Sequence, residues 1–317
     1  MALVFDGVPT AHPPKSFPAR PLVIGRGPWA KNIWRTLDEL KVPYTVSGRI
    51  TAQEDVMHAQ ARGNTHVIIA TPLSTHYDLA KMALRRSIPT FLEKPACSTL
   101  TELVHLHRLA QDGYGRTITK FLVNSIHLFS EGAEKMVEEW NGRHKHPYPP
   151  SAHGTFGGPG PVREDCNGLW DYGWHPLSLM WAVGIPLDGW VGSTNVALGT
   201  ALVEPGMWAA DWLDAEGNPK YGVVTSTRWE KKRTQFSVDG WELTRVDDQL
   251  VWIEAKRMAS QARHYWCMEQ PPLTRALSLF LSDEHDWRND QRFGFELPLA
   301  VTRCLESLCP SVGDLKK

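Results

Sequence analysis

The sequence predicts an α/β protein: an N-terminal Rossmann domain with a doubly wound parallel sheet, then an α+β domain with a large, open, mostly antiparallel sheet. Three observations predict it. A glycine turn, Gly25-Arg-Gly27-Pro28-Trp29-Ala30, joins a short apolar strand to an amphipathic helix. Strand-like and helix-like runs then alternate, with short connections, to residue 123. Beyond residue 124 long strand-like runs follow one another with few helices between them.

In the first domain, Pro21–Ile24 reads as a strand and Pro28 as the first residue of a helix, where its restricted φ suits the backbone. Trp29, Ile33, Leu37 and Leu40 fall on one helical stripe. Tyr44–Val46 is the second strand and His66–Ala70 the third, apolar as a strand covered on both faces should be. Thr75 and Asp78 have the spacing of a capping box, as do Thr99 and Glu102 before the next helix. Thr90–Leu92 and Thr117–Val123 complete the strands.

In the second domain, a helix covers Glu131–Trp140 and a loop rich in Pro and Gly runs from Pro147 to Pro161. One helix carries Asp171 and His175 to about Val183. Strands follow at Trp190–Leu198, Met207–Leu213, Tyr221–Trp229, Thr234–Val246 and Leu250–Ala255, with turns at Ala215–Asn218 and Asp239-Gly240. Helices near 272–282 and 294–308 close the chain. The domains are expected at 1–123, including a Pro-rich N-terminal arm, and 124–317, with the final helix returning to the first.

Composition narrows the partners. Lys+Arg 34 against Asp+Glu 35 gives a net charge of -1, with no basic excess for a nucleic-acid backbone. No apolar stretch of about eighteen residues predicts a membrane span. Residues 1–20 lack a charged-then-apolar leader pattern. The five cysteines are widely spaced without a CxxC, which suits reduced thiols in the cytoplasm.

Three motifs carry the chemistry. In the glycine turn Gly25 permits the tight bend, Gly27 lets backbone approach a pyrophosphate, and Ala30 sits where helix meets strand. The helix N-terminal N–H groups face the phosphates. The end of the second strand reads Ser47-Gly48-Arg49, without an acid to bond ribose hydroxyls. Arginine pairs well with a 2′-phosphate, so NADP(H) is favoured over NAD(H). The alternative is a solvated surface arginine. Lys94, in Glu93-Lys94-Pro95, lies at a strand's C-terminal end, the rim where α/β sheets bind ligands. Asp171 and His175 are four apart; on one helix they share a face, and the carboxylate can hold an imidazole that takes a hydroxyl proton. A helix-stabilising pair is the plainer reading. No metal is expected, for want of HExxH or a cysteine cluster.

These residues resemble the Gfo/Idh/MocA oxidoreductase family. Gly25 to Asn32 resembles its glycine turn, Ala70-Thr71-Pro72 through His76 its A-T-P-x-x-x-H segment along the cofactor, Glu93-Lys94-Pro95 its lysine signature, and Asp171 to His175 its D-x-G-x-H helix. The resemblance implies hydride transfer between the nicotinamide and a ring carbinol of a sugar, nucleotide-sugar or cyclitol, with Lys94 and His175 handling the proton. It implies a homodimer or homotetramer assembled through the second sheet. Members often carry an acid after the histidine, where this chain has Pro176 and Ser178, and a Tyr or His where it has Ser125. His127, Arg163, Trp170 and Trp174 are candidate pocket liners beside His175, with core packing as the plainer reading of the tryptophans. A non-catalytic NAD(P)-binding regulator or scaffold on the same fold is the second reading. A metal-dependent lyase or hydrolase is the third.

Overall fold

The computed structural model describes residues 19–143, 151–159, 165–185, 187, 207–213, 219–226, 228–238, 241–246, 249–254 and 270–308. These form two compact units: 19–124 with 272–302, and 125–271 with 303–308.

The first unit is built on five parallel strands: β1 (Pro21–Ile24), β2 (Thr45–Ser47), β3 (His66–Ile69), β4 (Thr90–Leu92) and β5 (Phe121–Val123). Their spatial order is β2-β1-β3-β4-β5. The chain steps outward from β1 to β2, then crosses back to β3 on the other side of β1. That reversal opens a crevice at the C-terminal ends of β1 and β3, where open α/β sheets take their ligands. Val23, Ile24, Val67, Ile68, Phe91 and Leu122 are fully buried, because helices cover both faces of a parallel sheet. Those helices include α1 (Pro28–Glu39), α2 (Ala52–Met57), α3 (His76–Leu84) and α4 (Leu100–Ala110).

The stripe on α1 is Ala30, Ile33, Thr36 and Leu37. Trp29, expected on it, is 38% exposed, while Ala30 beside it is fully buried. Thr99 caps α4 as expected: its hydroxyl accepts from Glu102 N at 3.2 Å while Glu102 Oε2 accepts from Ser98 N at 3.0 Å. Thr75 does not cap α3. Its hydroxyl turns back to Thr71 Oγ1 (2.7 Å) and Pro72 O (2.8 Å), closing a 3-10 turn over Leu73–Thr75. Near the end of the chain, α8 (Pro272–Leu281) packs on α1 in this unit. Its Phe280 meets His66 and Phe91 edge-on at 5.3 and 5.5 Å. Phe295 stacks on Phe121 at 4.2 Å. Such pairs add about 0.5–1.5 kcal/mol beyond area burial.

The second unit has α5 (Glu131–Arg143), α6 (Gly168–Tyr172), α7 (Trp174–Ala182) and a sheet ordered β11-β10-β9-β6-β8-β7 among the described residues. The strands are β6 (Ala152–Pro159), β7 (Met207–Leu213), β8 (Pro219–Ser226), β9 (Arg228–Val238), β10 (Trp241–Val246) and β11 (Gln249–Glu254). All neighbours are antiparallel except β6 with β8. On β9, Thr234, Phe236 and Val238 are buried at period two, while Glu230 to Arg233 and Gln235 face solvent. The last helix, α9, spans Glu296–Leu308.

Two expectations need correcting. The Pro/Gly-rich 147–161 contains β6, an interior strand of this sheet. Its glycines are packing positions: a Cβ on Gly154 would lie 2.2 Å from Pro176 Cβ, and one on Gly157 2.2 Å from Ser226 O. The run Tyr221–Trp229 divides between β8 and β9. The expected strand Trp190–Leu198 and the turns at 215–218 and 239–240 lie outside the described residues.

Candidate active site

The C-terminal rim of the parallel sheet gathers the glycine turn, the Thr71 loop and Glu93-Lys94. Gly25 has φ +128, a backbone that glycine adopts freely, and a Cβ there would lie 2.2 Å from Ala70 O. The hydrogen-bond ladder continues past the strands: Ala70 N donates to Ile24 O (2.8 Å), Gly25 N to Ser47 O (3.2 Å), Glu93 N to Ile69 O (3.0 Å) and Asn124 N to Leu92 O (2.8 Å). The rim segments are therefore extensions of the sheet, held by its register. At Gly27, the N-cap of α1, a Cβ would meet nothing within 4 Å. The space before the helix N-terminus is open, and Gly27, Pro28 and Trp29 border it as exposed residues.

Glu93 is buried, 6% exposed. Burial pushes its carboxyl up, against hydrogen bonds from Trp29 and Asn124 and the charge of Lys94. The Asn124 bond, Nδ2 to Oε1, is 2.7 Å. Trp29 thus ties the glycine turn to the residue preceding Lys94. Lys94 is half-buried, and its bond to Pro95 is cis. Sequence reasoning missed Asn124; the signal was a polar residue directly after an apolar strand.

Three expected cofactor contacts are engaged elsewhere. Ser47 is 1% exposed and donates to Asp55 Oδ2 at 2.7 Å. Asp55 also pairs with Arg62. Hydrogen bonds from Ser47, then Thr51, and the Arg62 partner hold the Asp55 carboxyl below its ordinary range. His76 is 1% exposed, with its ring nitrogens 2.8 Å from Pro95 O and 2.9 Å from Thr71 O. The Thr71 hydroxyl accepts from Thr75. Arg49 is exposed, and Arg26 lies against the neighbouring Gly48, whose Cβ would be 3.3 Å from Arg26 Nε.

In the second unit, Asp171 and His175 do not share one helix. Asp171 is the next-to-last residue of α6 and His175 the second of α7; the helices are divided at Gly173, where a Cβ would be 2.4 Å from Leu169 O. His175 is 8% exposed. Its ring meets His127 edge-on at 4.5 Å and Phe156 at 5.9 Å, and His127 meets Phe156 at 5.3 Å. His127 sits half-buried on a 3-10 turn, Ile126–Phe129. Trp170 and Trp174, expected to line a pocket, are fully buried. Trp174 Nε1 donates to Ser125 Oγ at 2.9 Å, and Ser178 Oγ lies 3.3 Å from the same oxygen. Both indoles, Trp170 on α6 and Trp174 on α7, are enclosed, with neither ring face reaching solvent. Arg163 lies outside the described residues.

Among the described residues no group of three or more His, Cys, Asp or Glu could hold a metal ion, and no helix is long and apolar enough to cross a membrane.

Comparisons with known proteins bear on this geometry. Residues 40–120 match the family described as "Oxidoreductase family, NAD-binding Rossmann fold", GFO_IDH_MocA. No curated protein matches the chain. A protein of Magnetospirillum magnetotacticum MS-1, named as an oxidoreductase, superposes with TM-score 0.70 at 21% identity, over 92% of this chain and 99% of that one. UDP-N-acetylglucosamine 3-dehydrogenase of Acidithiobacillus ferrooxidans gives 0.62 at 16%, over 94% and 99%. An inositol dehydrogenase homolog of Azotobacter vinelandii, complexed with NADH and myo-inositol, gives 0.63 at 17%, over 94% and 96%. At these identities the likeness is one of fold. The matched residues 40–120 span β2 to β4 of the parallel sheet, and over this segment the chain is similar to the Gfo/Idh/MocA oxidoreductases.

Proposed function

We propose that this chain is a nicotinamide-dinucleotide-dependent oxidoreductase acting on a carbinol or ketone of a sugar, nucleotide-sugar or cyclitol. The observation that carries the reading is the rim of the parallel sheet. There Gly25 closes onto Ala70 O, Gly27 faces open space, and Glu93 is held beside Lys94 by Asn124. A bound nicotinamide supplies or accepts the hydride.

The chain's own residues hold and orient. Gly25, Gly27, Trp29 and Ala30 offer backbone to the pyrophosphate at the start of α1. Pro28 lacks an N–H and shapes the turn. Thr71 and Pro72 border the crevice from β3. Arg26 and Arg49 place cations by the end of β2, which favours NADP(H). Lys94 donates to the substrate oxygen, and His175 takes or returns the hydroxyl proton. His127, edge-on to His175, steadies that ring. Asp171, near the α6–α7 junction, is the carboxylate that orients the imidazole. Assembly as a homodimer or homotetramer through the second sheet is part of the same proposal.

The test is a titration of the full chain with NADH and NADPH. A screen of sugars, nucleotide sugars and cyclitols follows, read at the reduced-nicotinamide absorbance. Binding with turnover supports the reading. Binding without turnover on any of them favours a regulator or scaffold, and no binding removes both.

A further inference from the structure

His76 opens α3 and is 1% exposed, so water does not separate its ring from its neighbours. Nδ1 lies 2.8 Å from Pro95 O and Nε2 lies 2.9 Å from Thr71 O. A backbone carbonyl can only accept a hydrogen bond. A neutral imidazole carries a single N–H and serves one of them; its other nitrogen then sets a lone pair against carbonyl lone pairs at hydrogen-bond distance. With a proton on each nitrogen, both contacts become charge-assisted hydrogen bonds.

We propose that His76 is a doubly protonated staple that ties the loop after β3 to the loop after β4 and so positions Lys94, rather than a contact to the cofactor. Thr71 belongs to one loop, and Pro95 directly follows Lys94 on the other. The start of a helix disfavours a cation, and burial disfavours any charge. Two carbonyl dipoles aimed at the ring act in the opposite sense. The titratable groups nearest along the chain are Tyr77, whose hydroxyl lies 2.6 Å from His105 Nδ1, and Asp78 on α3, Glu93 and Lys94 before Pro95, the buried Cys97 after it, and Glu102, whose carboxylate accepts from Ser98 N.

The consequence for turnover rests on the dehydrogenase reading, whereas the protonation does not. Ring-nitrogen NMR of the full chain labelled with [15N]histidine, at about pH 7.5, is expected to show two protonated nitrogens for His76. The signal is assigned by its absence in His76→Gln or, if that variant does not fold, by coupling across the hydrogen bond to the Pro95 carbonyl. A single tautomer with one bare nitrogen overturns the staple. His76→Gln is expected to lower kcat roughly 10- to 100-fold, with the dinucleotide Kd changed less than about twofold. Parallel loss of Kd and kcat would make His76 a cofactor contact and overturn the positioning role. Unchanged kcat would do the same.

Discussion

The α-carbon of Gly25 faces the carbonyl oxygen of Ala70 so closely that an added Cβ would stand 2.2 Å from it. This approach joins the ends of β1 and β3 at the switch point of the sheet. Gly25→Ala must therefore push the Thr71 loop away as well as strain a φ of +128. The expected cost is about 1–3 kcal/mol of stability, measured by urea unfolding, with weakened dinucleotide binding. A variant with native stability and native Kd would show that the approach is not needed.

Lys94→Ala and His175→Ala are each expected to reduce turnover by roughly two or more orders of magnitude while dinucleotide binding is largely kept. Single-turnover kinetics beside fluorescence titration separates the two effects. Native turnover in both variants would remove these residues from the chemistry.

Arg49→Ala is expected to weaken NADPH at least about tenfold and NADH far less. Equal losses would mean the guanidinium does not read a 2′-phosphate. Ser47 adds little to this discrimination, because its hydroxyl is committed to Asp55.

His66 gives the first unit a pH dependence. It packs on Phe280, and burial, then the charge of Lys120, lowers its pKa to about 4 against the pull of Asp283. The folded state keeps the ring neutral, while the unfolded chain takes the proton near its ordinary value of about 6.5. Stability is thus full above pH 6.5 and falls as pH drops towards 4, by about 2 kcal/mol between pH 7 and 5. Urea unfolding of wild type and His66→Gln at both pH values checks this. A pH response that persists unchanged in the variant would assign it elsewhere.

Asp290 holds Arg292 Nη2 at 2.7 Å and His285 Nε2 at 3.0 Å, with both Asp290 and Arg292 side chains under a tenth exposed. Burial raises the Asp290 carboxyl, but His285 and Arg292 outweigh it and hold it well below the usual range. Its contribution is present above the unfolded value of about 3.9 and is lost as pH falls below it. Asp290→Asn removes the carboxylate that Arg292 and His285 share and is expected to cost about 3–5 kcal/mol at neutral pH. Chemical denaturation should show the gap narrowing below about pH 4; a cost under about 1 kcal/mol would make the pair dispensable.

The first sheet is legible in the sequence because its inner strands carry short apolar runs, such as Val23-Ile24 or Val67–Ile69, and a buried parallel strand has no polar side to blur the pattern. The second sheet is less so. Gly154, Gly157 and Gly158 read as a loop, since composition alone does not distinguish a glycine that turns the chain from one that lets a neighbour approach. The break at Gly173 separates Asp171 from His175 for the same reason. Residues such as Thr75, Ser47 and His76 carry polar groups whose partners are set by loops brought together only on folding. Asn124 joins Glu93 across a separation of 31 residues, which no local spacing encodes.

The contact of Gly154 with Pro176 has an evolutionary side. At Gly154 and Pro176 the α7 helix rests on β6 through a ring and a bare backbone, and at that point there is no side chain on the strand to lengthen, shorten or rotate. The height of the neighbouring imidazole above that strand is consequently hard to retune by substitution. Divergence in what such a protein accepts would have to be written in the surrounding loops, while the seat of the histidine stays as it is.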